Sequence, residues 1–562
     1  MVPSPILRAS LLGLPSELRN QIYQDYFTVD GGYVYDGDTD KLVQPGGKPI
    51  DISLRSTCRS IALETQDFPF SLNAIRFSTV YRNDWQKQAA YVETIFEHHN
   101  KLKKCLLIQL RDLVTSDMYE HSNTRISENM SIVEEWVATA KIAYSEGRHF
   151  DVSEWMDHLE IDESLRPKWG QSGLSFSMGL SIRHVLWIIA ERHPQEFIAA
   201  IDAVKPGWSS SHSALDFFDL TVLPWSVPSL AELMTLAEEW QVSEQGDRLL
   251  EWFKKNEFHT LYRGPISKYR RRRYFSAASL AIRFLNQITK RQRLNIQNLI
   301  INEDRASGTR AESHPIGLIP FCIENPKLHI DHRINLWRNF TFRLGWPLGL
   351  RSSSFIALEL ESVLSEDEIV WNDFVQAHQV HQEFLQRGFV DWMVHVMDLA
   401  GYGMPLDSYT LTLDGDPDLN YSTEMFTSLM KHVFAELTMN SDIVAQGIFA
   451  PPEHPDYPFM TRQSMTEVCP VSKRSSILQC NFTLDQPWDY KKIVEENDVK
   501  PHPIIDQFFP PFATHGYYDV LTPSLSFLDI KLEYFDREWL WDSTDETMRE
   551  YGDQEWVRIS SV

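Results

Sequence analysis

The chain has 562 residues, of which 43% are hydrophobic and 12% aromatic, and 53 Lys and Arg stand against 78 Asp and Glu for a formal net charge of −25. This content excludes a disordered chain, the length fits two to four domains of roughly 150 residues, and the acidic balance repels phosphate backbones and anionic membrane surfaces, so general nucleic-acid binding is not expected. Five scattered cysteines, Cys58, Cys105, Cys322, Cys469 and Cys480, have no CxxC spacing, which excludes a disulfide scaffold and points to a reducing compartment.

The first ten residues lack the apolar core of a secretory leader, and no run of about 18 apolar residues occurs. The expectation is a protein of the cytoplasm or nucleus without membrane contact. Pro15 suits the first turn of a helix, where its missing N–H has no partner to lose. Leu14, Leu18, Ile22 and Tyr26 then recur at every fourth position, which predicts a short amphipathic helix. Asp51 can cap a second helix whose Leu54, Cys58, Ile61 and Thr65 share a face, and Ile75 and Phe77 alternate with polar neighbours as a half-buried strand does.

The residues Leu14, Pro15, Glu17, Leu18, Arg19, Ile22 and Tyr23 resemble the opening of the fungal F-box-like family. Thr57 to Glu64 is similar to the family's second helix and Asn73 to Phe77 to its following strand, so the resemblance covers residues 8–80. A Gly- and Asp-rich insertion, residues 31–49, stands where the F-box proper has a second helix, and no Trp-Arg pair follows Cys58. The resemblance implies a small helix-strand module that docks a ubiquitin-ligase adaptor, with Leu14, Pro15, Leu18, Ile22 and Tyr23 as the partner-binding residues. From the residues alone, a second reading stands beside it: Leu14, Leu18 and Ile22 pack on Cys58 and Ile61 as a local core.

Further along, residues 83–100 predict a helix with Trp85, Ala89, Val92 and Phe96 on one stripe, followed by a strand over 105–110. Residues 83–260 read as mainly helical, most clearly over 185–201 and 230–253, with Trp136, Trp155, Trp187, Trp240 and Trp252 expected in its core. Arg270, Arg271, Arg272 and Arg273 form the one strong basic run, just before a helical stretch from Phe275 to Leu285. A basic patch for import or an acidic partner is one reading and nucleic acid another; pairing with the chain's own carboxylates is the preferred one. Four charges in about one helical turn predict that at least two of the arginines pair with Asp or Glu of the same chain.

Beyond residue 275, short strands are predicted over 296–302, 354–361, 408–413, 477–484 and 528–535, with helices between most of them, including 366–385 and 423–437. Such alternation suggests right-handed crossovers and a largely parallel sheet. The fold class is therefore α+β or mixed α/β: an F-box-like module at 8–80, a helical region at 83–260, an irregular α/β scaffold at 275–536 and an acidic tail at 537–562. The strand spacing is too wide and irregular for leucine-rich repeats.

No catalytic motif emerges. Asp36 to Asp40 and Asp414 to Asp418 begin like calcium loops, but Lys41 and Leu419 stand where a sharp turn needs Gly. His378 with His381, and the cluster His329, Asp331 and His332, bring no third and fourth ligand by any recognisable spacing. No metal or cofactor is expected. The reading is a non-enzymatic protein-interaction protein, either a substrate adaptor of a ubiquitin ligase or a scaffold unrelated to ubiquitin in which the module is a structural cap. An unrecognised enzyme, with a deep pocket of converging acids or histidines, is the third alternative.

Overall fold

The computed structural model describes residues 10–120, 124–147, 176–254, 267–340, 399–427 and 477–483, with shorter pieces between 380 and 396 and between 517 and 539. In chain order the strands are β1 (Tyr33–Asp36), β2 (Lys41–Val43), β3 (Ile75–Ser78), β4 (Phe253–Lys254), β5 (Ser267–Arg271), β6 (Asn298–Glu303), β7 (His329–Asn335), β8 (Val380–His381), β9 (Tyr409–Asp414), β10 (Leu478–Cys480), β11 (Tyr517–Tyr518) and β12 (Phe535–Trp539). Seven of them build one sheet in the order β10-β9-β7-β6-β3-β1-β2. Every neighbouring pair is parallel except the β1–β2 hairpin. The α/β expectation with a largely parallel sheet holds.

Apart from β2, the order is the order of the sequence, so the chain winds across the sheet in one direction without reversing. Right-handed crossovers that never reverse put their helices on the same face. Burial alternates accordingly along each strand. Phe77, Leu299, Ile301, Ile330, Ile334, Leu411 and Leu413 point to the helical side, where they share a core with Ala278, Ala281, Ile282 and Leu285 of the helix Ala277–Gln287. Their neighbours along the strands, including Arg76, Ile300, Asp331 and Thr412, form the opposite, less buried face. At the start of β1, Gly32 takes φ +71° and lies so close to β3 that a side chain would run into the Ala74 carbonyl oxygen. Only glycine lets Tyr33 donate to that oxygen at 2.8 Å and start the parallel pairing.

The helical region has a core of its own, which includes Ile95, Leu106, Leu107, Ile182, Leu186, Phe197, Phe217 and Trp240. Trp208 stacks on Trp240, and Trp240 Nε1 donates to the Leu220 carbonyl at 2.7 Å, so Trp240 is a core residue as expected and Trp208 joins it there. Trp187 departs from that expectation, being 39% exposed. Trp155 lies outside the described residues.

Several sequence expectations are corrected. Residues 105–110 do not begin a strand: the helix Gln86–Gln109 runs through Cys105, Leu106 and Leu107, whose packing in the helical core overrides the appearance of an apolar strand. The 185–201 helix is two, Phe176–Arg192 and Pro194–Val204, because Pro194 cannot donate to continue the first. The 230–253 helix divides into Leu230–Glu239, opened by a Ser229–Glu232 capping box, and Ser243–Arg248, and then gives way to β4. Val380 and His381, placed in a helix by the sequence, pair with Tyr518 and Tyr517 instead. Of the last expected strand, 529–530 are helical and β12 starts only at Phe535, running past the 536/537 boundary. The 354–361 strand and His378 lie outside the described residues.

The arginine run is a strand and its exit, not a helical turn, since Ser267–Arg271 pairs antiparallel with β12. Strand alternation explains its ion pairs. Arg270 and Arg272 reach Asp536 at 2.9 and 2.8 Å, while Arg271 and Arg273 turn to Glu93 on the long helix, Arg271 at 3.7 Å and Arg273 in closer contact. All four arginines are thus paired within the chain. Burial works to raise the Asp536 and Glu93 carboxyls, but the arginines overcome it and hold both below their ordinary values. Their contribution to stability is therefore present above the ordinary carboxylate range near pH 4 and is lost as pH falls through the lowered folded values.

Glu93→Gln leaves two largely buried guanidinium groups without a carboxylate, so urea unfolding should show a loss of about 3–5 kcal/mol. Arg270→Gln leaves Asp536 its Arg272 partner and should cost only about 0–1 kcal/mol. The gap between the two variants should narrow as the pH is lowered toward 3 or so.

Candidate functional site

Two surfaces stand out, one apolar and one polar. The helix Ser16–Phe27 buries Tyr23 and Phe27 against Ile61, with Phe68 and Leu72 beside them. Tyr23 donates from its hydroxyl to Glu64 at 2.9 Å, and Arg19 forks onto the same carboxylate at 2.9 and 3.0 Å. Burial, then the bond to Glu64, raises the Tyr23 hydroxyl, while the Arg19 hydrogen bond is the main cause holding Glu64 down.

Packing this side of the helix turns the other side outward. Leu18 is 46% and Ile22 41% exposed, and Tyr26 stays on the same exposed stripe, its hydroxyl 3.0 Å from Ser53 Oγ. Leu14 is half-buried and Pro15 exposed at the start of the helix. Leu18, Ile22 and Tyr26 therefore share one outward face as expected, and that face is not the local core, whereas Leu14 precedes the helix in extended backbone. Tyr23 is the exception among the expected partner-binding residues: fully buried, it belongs to the core on the opposite side. A helix turns about 100° per residue, so Tyr23 cannot share the outward face with Ile22.

The second surface is the sheet face opposite the helices. In register across it, Val34, Arg76, Ile300, Asp331 and Thr410 form one row, and Asn302, Arg333 and Thr412, with Gln479 beyond, form the next. Asp331 accepts from Arg333 Nη2 at 2.6 Å and from Thr412 Oγ1 at 3.0 Å, and Asn481 Nδ2 donates to Asp414 at 2.6 Å. These side chains border a hollow of about 590 Å³ lined by Asn298, His329, Asp331, Arg333, Thr412 and Gln479 among others. The volume falls in the roughly 300–1,000 Å³ range of small-molecule and side-chain pockets. Its lining of amides, hydroxyls and charges suits a ligand that forms hydrogen bonds.

On the helical side of the sheet lies a closed polar network. Glu303 accepts from the backbone N–H groups of Ala277 and Ala278 at 3.1 and 3.0 Å, holding the N-terminus of the helix Ala277–Gln287 onto β6. Beside it, His314 Nε2 donates to the Thr309 carbonyl at 3.0 Å, which leaves Nδ1 as an acceptor within reach of the Ser276 and Ser279 hydroxyls at 2.6 and 3.0 Å. Burial lowers the His314 pKa. The adjoining cavity is about 10 Å³, room for about one water molecule and no substrate. The Ser–His contact therefore serves as packing and as a helix cap.

The cluster His329, Asp331 and His332 is divided by the strand's alternation. His329 and Asp331 face the hollow, whereas His332 is buried with Nδ1 2.7 Å from the Tyr409 hydroxyl. Asp36 to Asp40 forms the β1–β2 turn, with Asp40 paired to Arg283. Among the described residues, no group of three or more His, Cys, Asp or Glu could hold a metal ion, and no helix is long and apolar enough to cross a membrane. The sequence reading missed the polar sheet face. Its signal was there in the alternation of Arg76, Asp331, Arg333, Thr410 and Thr412 with apolar residues, but only the strand order shows that these residues are neighbours.

Compared with protein-family models, with curated proteins and with solved structures, the chain matches none.

The two sides of the first helix should respond oppositely to truncation. Tyr23→Ala opens a cavity in the small core and strands Glu64, and chemical unfolding should show a loss of about 3–5 kcal/mol. Ile22→Ala should stay within about 0.5 kcal/mol.

Proposed function

We propose that this chain is a non-enzymatic interaction protein of the cytoplasm or nucleus, which docks a ubiquitin-ligase adaptor through Leu14, Leu18 and Ile22 and holds a protein partner on its open sheet face. The observation that carries the reading is the exposure of Leu18 and Ile22, at 46% and 41%, on a helix whose other side is anchored by Tyr23, Phe27 and the Arg19–Glu64 pair. A rigid helix with apolar side chains one turn apart can lie in a groove with little ordering cost. The resemblance of residues 8–80 to the F-box-like family supplies the kind of groove. The polar hollow on the sheet offers a separate surface for a cargo.

A second reading, a scaffold unrelated to ubiquitin, is favoured by one observation. The module's strands β1 and β3 are built into the main sheet, β3 pairing directly with β6 across residues 75–78 and 299–302. An element so integrated completes the fold whether or not it docks anything.

Leu18→Glu with Ile22→Glu should abolish direct binding of a purified ubiquitin-ligase adaptor of the type that F-box proteins use, with the unfolding midpoint unchanged. If wild-type chain shows no binding to such an adaptor, the scaffold reading takes its place. Independently, Thr412→Arg should fill the hollow and release whatever cargo co-purifies with the chain, at a stability cost under about 1 kcal/mol because the site is open.

A further inference from the structure

We infer that the cargo segment carries an oxyanion, a carboxylate or a phosphoryl group, which seats on the guanidinium of Arg76. This inference rests on the open sheet face as the cargo surface and names the chemistry it recognises. Arg76 lies on that face, level in register with Val34 on β1 and Ile300 on β6. Ile300 and Ala74 both line the hollow, so Arg76 stands at its border.

The other arginines around the sheet are neutralised by the chain itself. Arg283 is held by Asp40, Arg293 by Glu324, Arg305 and Arg338 by Glu533, and Arg333 by Asp331. Among the described residues, no carboxylate lies within ion-pair distance of Arg76. The acid in its own row, Asp331, is already engaged by Arg333 and Thr412. Arg76 Nε is shielded from solvent, so an incoming group meets the terminal nitrogens of the guanidinium.

The terminal nitrogens carry the recognition. They form the end-on fork of a guanidinium, whose spacing matches the two oxygens of a carboxylate or phosphoryl group. The chain's net charge of −25 opposes an acidic cargo at long range. At about 0.1 M salt, however, charges further than roughly 10 Å are largely screened, and the acid in Arg76's row is already paired. Local recognition prevails over the average.

The test uses the full chain and pools of degenerate short peptides that differ in one fixed central residue: glutamate, phosphoserine, alanine or lysine. Retention of the glutamate pool, the phosphoserine pool or both by roughly tenfold over alanine is expected, with lysine at or below alanine. The better of the two acidic pools identifies the source of the oxyanion. Arg76→Gln should erase the preference. Arg76→Lys, which keeps the charge and most of the stem but lacks the fork, should lose most of it and reads the same quantity should the glutamine variant unfold. Equal retention of all pools, or a preference for lysine, that Thr412→Arg still abolishes would overturn the oxyanion and leave the open face as the cargo surface. No retention that depends on Thr412 would overturn both.

Discussion

The direction in which the chain winds controls most of this structure. Right-handed crossovers that keep one direction lay their helices on the same side, and from β1 through β3, β6, β7 and β9 to β10 the strand order never reverses. A doubly wound sheet reverses once and covers both faces, which is why its strands read as continuous apolar runs. Here β3, β7 and β9 alternate instead, and among the described residues the helical core lies on one face, while the other carries Arg76, Asp331, Arg333, Thr410 and Thr412 beside Val34 and Ile300. The location of the hollow, the row of polar side chains and the position of Arg76 all follow from that single topological property.

The same winding explains how the first eighty residues belong to the fold. β1 and β3 extend the sheet that β6 continues after the long helical region, so the sheet joins parts of the chain that are more than two hundred residues apart. The helical region is stabilised by its own apolar core, centred on the helix Gln86–Gln109. Glu93 on that helix receives Arg271 and Arg273 from the end of β5, the central strand of the separate three-stranded sheet. That arrangement absorbs the strongest basic run of the sequence into two carboxylates, Glu93 and Asp536.

The buried polar groups show how function and packing are told apart. Ser276, Ser279, His314, Glu303 and His332 include the residue types of a hydrolytic site, yet beyond the Ser–His contacts their hydrogen bonds run to a helix N-terminus, to the Thr309 carbonyl and to the Tyr409 hydroxyl. Those partners come from the fold, and the space beside them admits about a single water molecule. Arg76 differs: among the described residues no carboxylate meets its guanidinium, which stands on the less buried sheet face.

The sequence by itself determined the local structure wherever one periodicity acts without competition. The four-residue spacing of Leu18, Ile22 and Tyr26 defined the first helix and its face, and strict alternation defined β3 and β9 to within a residue or two. It determined, too, that the arginine run pairs within an acidic chain, because charge balance alone favours that outcome. Tertiary structure decided the rest. An apolar run such as Cys105 to Leu110 is compatible with strand or helix until it has neighbours, and packing into the helical core makes it helix. Whether Leu18 and Ile22 are core or surface depended on which side of their helix met Ile61 and Phe68. The polar sheet face exists only once β3, β6, β7 and β9 are paired in register, since its residues are brought together from positions 76 to 479 by hydrogen bonds between strands that no local pattern encodes.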